Sequence, residues 1–308
     1  WEGDPWEANA QFRQLIAKHY IPSLKGAARP LEPVTWVNSG LIGHQPFNDC
    51  TSDNEIAMLE HFKPLRGISY FITDAGWYRD GFNFSDGDYY PNEKRFPQGI
   101  VPLCRAAKEA GWQYGLWFDV EKVFGRTELA KKHPQWLLSK SKEDKDALLS
   151  GSAQAQVYLR NLGDPEALKE LLEMVSPLIG TDGFGFYRQD FNTNPLAYWD
   201  FTDREEPDRR GITQIKHIMG LYQYWDTLAE KFPAVIREEC SSGGRRIDLE
   251  TVSRMHIQQK SDLHDHHEAD QSSLWGLGQY LPNNAIAARP RDLDDYSYFS
   301  VMPASNTL

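Results

Sequence analysis

Five stretches of this chain run from apolar residues straight into carboxylates, amides and glycines. They are Ile72-Thr73-Asp74-Ala75-Gly76-Trp77, Gly115-Leu116-Trp117-Phe118-Asp119-Val120-Glu121, Gly185-Phe186-Tyr187-Arg188-Gln189-Asp190-Phe191-Asn192, Glu238-Glu239-Cys240-Ser241-Ser242-Gly243-Gly244-Arg245 and Gln259-Lys260-Ser261-Asp262. Where such stretches are parallel strands of a barrel, their acidic ends converge on one pocket. Carboxyl groups in pairs are the equipment of glycoside hydrolysis. One attacks or activates water, and the other, protonated, hands a proton to the departing oxygen.

The composition points to the same ligand class. Ten Trp, 14 Tyr and 15 Phe stand in a chain of mean hydropathy -0.60, many of them beside Asp, Gly or Asn. A sugar offers both an apolar C–H face and a belt of hydroxyls, which suits rings mixed with carboxylates, although a merely Trp-rich core would have the same composition. A balance of 33 Lys and Arg against 44 Asp and Glu, net -11, argues against nucleic acid and anionic membrane surfaces. Without a run of roughly 20 apolar residues or a signal-peptide pattern at the start, the chain reads as soluble. Three well-separated cysteines, Cys50, Cys104 and Cys240, exclude a disulfide framework.

The elements that must position these residues alternate between short β-like runs and amphipathic helices, the pattern of a parallel α/β protein. Eight strands are expected at Pro33–Asn38, Ile68–Thr73, Tyr114–Phe118, Gly183–Arg188, Val235–Glu239, His256–Lys260, Ala285–Ala288 and Tyr298–Met302, the count of a (β/α)8 TIM barrel. Ser52 and Glu55 predict a capping box, and Asp164 with Pro165 a helix start. A helix from about Thr213 to Phe232 should bury Ile215, Ile218, Met219, Tyr222, Trp225 and Leu228. The segment from Ser139 to Ala155 reads as a solvated excursion. The Gly-, Asp- and Tyr-rich loop from Tyr78 to Pro97 follows the second strand and should reach the active face. Residues 1–32 form a helical lead-in and residues 33–308 the barrel.

In this order the five segments resemble the catalytic barrel of family 36 glycoside hydrolases, the α-galactosidase group. Arg188-Gln189-Asp190-Phe191-Asn192 is similar to the family's Lys-Trp-Asp-x-Asn, which makes Asp190 the nucleophile. Ser261-Asp262-Leu263-His264-Asp265 is similar to its Ser-Asp-x-x-Asp, which makes Asp262 the acid/base with Asp265 as fallback. The resemblance further implies substrate contacts from Asp74, Trp77, Trp117, Asp119, Arg188, Asn192, Cys240, Ser242 and Gly243. Cys240 is expected to act through packing, since no base is placed to activate it.

The departures from the pattern bear on the sugar. Ala75 replaces an Asp, Arg188 a Lys and Arg245 a Gly, and Gly40 stands where the family has Trp. The implied activity is a retaining, exo-acting α-galactosidase, working through a covalent glycosyl-enzyme with carboxyl groups about 5–5.5 Å apart. An α-N-acetylgalactosaminidase or a transglycosylase fits the same residues, and a non-catalytic sugar-binding barrel is the alternative of another class. No cofactor is expected. The cluster His264-Asp265-His266-His267 is not expected to hold a metal, because ligands crowded on one short loop cannot all face one ion. A homo-oligomer is compatible with all of this. Set against the family, the chain is expected to lack flanking β-domains.

Overall fold

The computed structural model describes residues 3–24, 32–42, 47–204, 207–263, 266–289, 294–301 and 304–307. Its strands are β1 (Thr35–Asn38), β2 (Ile68–Thr73), β3 (Gln113–Phe118), β4 (Lys122–Phe124), β5 (Leu137–Leu138), β6 (Val157–Arg160), β7 (Phe184–Gln189), β8 (Ile236–Glu239), β9 (Ile257–Gln259), β10 (Ile286–Ala288) and β11 (Ser305–Thr307). The fold is mixed α/β around a curled parallel sheet. Its hydrogen-bonded order β1-β11-β10-β9-β8-β7-β3-β2 closes on itself through β1 and β2. The three remaining strands form a small antiparallel sheet, β4-β6-β5, inserted between β3 and β7.

Alternation along each strand divides the core in two. Side chains at every second position point into the curl, where Trp36, Tyr70, Ile72, Phe186, Ile236, Ile257 and Ala287 pack together. The intervening ones, such as Tyr114, Leu116, Phe118 and Tyr187, pack outward among helix residues Leu171, Val175, Tyr224 and Trp225. Continuing the inward series by two residues brings Asn38, Asp74, Trp117, Arg188 and Glu238 to the carboxyl ends of the strands. The register aligns Trp117 with Arg188 and Arg188 with Glu238. The polar strand ends therefore share one level of one mouth because a period of two leaves them no other side.

Seven strands fall where the sequence places them, to within a few residues. The eighth does not. The expected strand Tyr298–Met302 falls in the helix Asp295–Val301, Met302 itself lying outside the described residues, and the strand is Ser305–Thr307. Aromatic and β-branched residues suggested a strand, but Asp294 accepts the Ser297 amide at 3.1 Å and starts a helix there. The expected excursion at 139–155 is also ordered. It holds the helix Lys142–Ser150, N-capped by Ser141, whose Leu148 is buried with Val123 and Tyr158 of the small sheet. One apolar turn suffices to dock a charged helix, and strands of two or three residues are too short to show a period. In the helix Ser52–Phe62 the cap is Thr51, one residue earlier than expected, while Glu55 is buried and accepts the Thr73 hydroxyl at 2.5 Å.

The helix Ile212–Lys231 exposes Ile215 (56%) and Met219 (66%), which the sequence places inside, and buries His217, Gly220, Leu221, Tyr224, Trp225 and Leu228. A step of one residue rotates a helix face by about 100°. Two features drive the rotation: His217 finds a buried partner in Glu121, and Gly220 lets the helix close on the chain after β6. A Cβ at position 220 would lie 1.9 Å from the Leu162 carbonyl oxygen. Gly220→Ala is therefore expected to destabilise the fold by about 2–3 kcal/mol through forced separation of packed backbone. Urea unfolding reads this directly, and an unchanged midpoint would refute the packing argument.

Candidate active site

Asp190 follows β7 and receives four donors. The Phe191 amide (2.7 Å) and the Ser242 amide (2.8 Å) bond Oδ1, while Asn192 Nδ2 (2.8 Å) and Trp117 Nε1 (3.3 Å) bond Oδ2. The Ser242 amide reaches Asp190 because Ser241 and Ser242 hold φ of 49° and 50°, a left-handed conformation uncommon for residues with a side chain. The Ser242 hydroxyl donates to Asn192 Oδ1 at 2.6 Å, which orients that amide. The turn after β8 thus controls both oxygens of the carboxyl.

Asp262, on the loop after β9, is exposed at the rim and accepts from the Cys240 thiol at 3.8 Å. Partial burial and the negative charges of Asp190 and Asp74 raise its pKa, against the opposing pull of Arg188 and the Cys240 hydrogen bond. Gly243 makes this approach possible: φ is +78°, and a Cβ there would meet the Asp262 amide nitrogen at 2.6 Å. Burial and the neighbouring Asp190 push the Cys240 thiol well above its ordinary range, so it stands as a neutral donor. Cys50, Cys104 and Cys240 are all free and buried.

Below this rim lies a buried polar layer. Asp74 accepts from Asn38 Nδ2 (2.6 Å) and from the Ala75 amide (2.7 Å). Gly40, where the resembled family has Trp, leaves room for Asp74, whose Cβ would be 2.4 Å from an added Cβ. Arg188 donates to Glu238 at 2.5 Å, both buried. Asp119 accepts the Asn192 amide at 2.9 Å, and burial together with Asp190 and Asp86 lifts its pKa well above the usual range. Burial raises Glu238 as well, and Glu239, bonded to the Ser241 hydroxyl, is pushed up to about 7. Among the described residues Arg188 Nε, Asp119 Oδ1, Glu238 Oε2 and Glu239 Oε2 are buried without a hydrogen-bond partner.

The structure brings Asp74, Trp117, Asp119, Arg188, Asn192, Cys240, Ser242 and Gly243 around the two candidate catalytic carboxyls. Trp77 lies elsewhere. It is 1% exposed, packs against Tyr78, Tyr89 and Phe118, and spends its indole N–H on the Trp117 carbonyl at 2.9 Å. It braces the Trp117 backbone instead of offering a face to a ligand, because position 77 already belongs to the turn leading into the 78–97 loop. That loop returns Phe82 edge-on to Trp117, with ring centroids 5.5 Å apart. Asn38, Glu238 and Phe82 are site residues that the sequence reading did not single out. The inward period of two marks the first two, whereas nothing local marks Phe82. Asp265 and His264 lie outside the described residues, and His267 opens the helix His267–Gly278.

A parallel α/β barrel with buried and rim carboxyl groups gathered at the carboxyl ends of its strands is the architecture of a (β/α)-barrel enzyme family, with the site where such barrels hold theirs. Residues 10–285 match the Melibiase family model, and the chain belongs to that family. It is 29% identical over 261 residues to an alpha-galactosidase of Escherichia coli, covering 83% of this chain and 33% of that protein. To alpha-galactosidase 2 of Hypocrea jecorina it is 29% identical over 253 residues, 77% of this chain and 30% of that one. The chain spans about a third of the length of the curated relatives it matches. Among solved structures, the family 36 alpha-galactosidase of Geobacillus stearothermophilus in complex with stachyose superposes with a TM-score of 0.80 at 19% identity, covering 100% of this chain and 42% of that one. The alpha-galactosidase of Lactobacillus brevis gives 0.82 at 21%, with 98% and 40% coverage. No helix among the described residues is long and apolar enough to cross a membrane.

Proposed function

We propose that this chain is the catalytic (β/α)8 barrel of a retaining, exo-acting α-galactosidase, with residues 1–32 as a lead-in to a barrel of residues 33–308. The observation that carries the reading is the contrast between two carboxyl groups at one mouth. Asp190 is held on both oxygens by four N–H donors, while Asp262 is exposed, raised in pKa and, among the described residues, bonded only by the weak Cys240 thiol donor. Environments that differ in this way divide nucleophile from acid. Asp190 attacks the anomeric carbon as the glycosidic C–O bond breaks, and Asp262 transfers its proton to the departing oxygen. In the second half Asp262 takes a proton from water, which attacks the anomeric carbon and releases Asp190.

The unpartnered atoms of Arg188, Asp119 and Glu238 are groups that sugar hydroxyls would satisfy, with Asn38 and Asp74 beside them and Trp117 closing one wall. Relatives named as alpha-galactosidases, and neighbours holding stachyose and raffinose, support the galactosyl choice. Ala75 and Arg188 in place of Asp and Lys support a second reading on the same scaffold, α-linked N-acetylgalactosamine. A panel of nitrophenyl α-glycosides decides between them. The α-galactoside should be cleaved at least tenfold faster than the N-acetylgalactosaminide and the glucoside, with the α-anomer of the sugar appearing first by NMR. Binding without cleavage of any member would replace the enzyme with a sugar-binding barrel.

A further inference from the structure

We propose that Arg246 is a positioning residue for Asp190, fastening the turn that delivers the Ser242 amide to the nucleophile. The inference rests on the reading of Asp190 given above. Arg246 grips Glu121 as a two-pronged fork, Nη1 to Oε1 at 2.6 Å and Nη2 to Oε2 at 2.7 Å. Glu121 Oε2 also meets His217 Nε2 at 2.8 Å, and both of these side chains are fully buried. The guanidinium carbon lies 4.2 Å from the centroid of the Phe191 ring, and Phe191 is the residue that follows Asp190.

The Arg246–Glu121 pair therefore joins four elements. Glu121 follows β3, Phe191 follows β7, Arg246 follows β8, and His217 sits on the helix Ile212–Lys231. Four residues before Arg246, Ser242 gives its amide to one oxygen of Asp190 and its hydroxyl to Asn192, which bonds the other. With the turn at Ser241–Gly244 in the left-handed region throughout, its position is set by what anchors its far end. The adjacent Arg245 adds a lighter tie, donating to the carbonyls of Phe191 (2.5 Å) and Thr193 (3.3 Å). Burial alone would push Glu121 up, but Arg246 and His217 hold it down at about 2, so the fork is a charge pair throughout the working range.

A displacement of the nucleophile by about 1 Å is enough to lower a rate some 100-fold while leaving ground-state contacts in place. Kinetics with a nitrophenyl α-galactoside test this, because that leaving group needs little protonation and the rate reports on Asp190. Arg246→Met is expected to lower kcat about 100-fold, with KM and the inhibition constant of free galactose within threefold of the parent. Arg246→Lys should remain at least tenfold down in kcat, since an ammonium group cannot form both prongs. Glu121→Gln, which breaks the charge pair with little change of shape, should follow the same pattern and carries the test if Arg246→Met does not fold. A kcat within threefold of the parent in Arg246→Lys and Glu121→Gln would overturn the proposal. So would a loss of galactose affinity as large as the loss of kcat, which would mean that the pocket as a whole had collapsed. If the unmutated chain does not cleave the substrate, the functional reading fails first and this inference with it.

Discussion

Asp190→Asn should lower turnover of an α-galactoside by roughly 10⁴-fold or more, the scale on which loss of a covalent nucleophile is felt. The substitution is isosteric but not neutral to its surroundings. In the native site both oxygens accept, from Phe191 and Ser242 at one and from Asn192 and Trp117 at the other. An amide presents two donors to one of those pairs, so stability should fall by about 1–3 kcal/mol alongside the loss of activity. Asp190→Ala gives the cleaner diagnosis. Azide supplied in solution can occupy the vacated volume and attack the anomeric carbon from the nucleophile's side, expelling nitrophenolate. The expected product is the β-galactosyl azide, formed with one inversion. An Asp190→Ala variant retaining native hydrolysis, or one yielding the α-azide, would remove Asp190 from the nucleophile's role.

Asp262→Asn should produce a loss that depends on the leaving group. Proton donation is worth about 10²–10⁴-fold, so an α-galactosyl disaccharide should lose that much. A dinitrophenyl galactoside, whose phenolate leaves unaided, should lose little in the bond-breaking step and build up the glycosyl-enzyme. The pH dependence follows from the sign of the shift. Asp262 must be protonated to donate, and partial burial with the charges of Asp190 and Asp74 favours its protonated form. Activity should therefore persist above the ordinary range of an Asp and fall as pH rises through the raised value, giving the basic limb of kcat/KM. Asp262→Asn has no proton to lose there and should abolish that limb. A basic limb left in place would assign it to another group, with the buried Glu239, whose pKa burial pushes up to about 7, the first to examine.

The parts of this site that the sequence shows are those carried by local order. A period of two ties Phe186 to Arg188 and Ile236 to Glu238, so that once the strands are recognised, inward apolar residues and polar ends follow from backbone geometry. The turn at Cys240–Gly244 is legible for a similar reason, since paired glycines mark left-handed backbone, although the same conformation in Ser241 and Ser242 carries no such mark. Trp77 misleads because an aromatic at a strand end reads the same whether it faces ligand or core. The helix Ile212–Lys231 misleads because apolarity cannot announce that His217 will be buried by a carboxylate 96 residues away. The last strand misleads because a single capping Asp outweighs five residues of β-prone composition.

Chain order and residue type alone thus determined the parallel α/β plan and seven of the strands, which rest on interactions between near neighbours, while the candidacy of Asp190 and Asp262 came from the resemblance of their motifs to those of the family. Only the tertiary structure decided which carboxyl is held by donors and which is left with a raised pKa. It alone showed that Trp77 is a brace, that Phe82 returns edge-on to Trp117, and that the Arg246–Glu121 pair ties three strand ends to one helix. Those properties depend on burial and on charges brought together from distant segments. Their energies exist only where folding has removed water and set the distances.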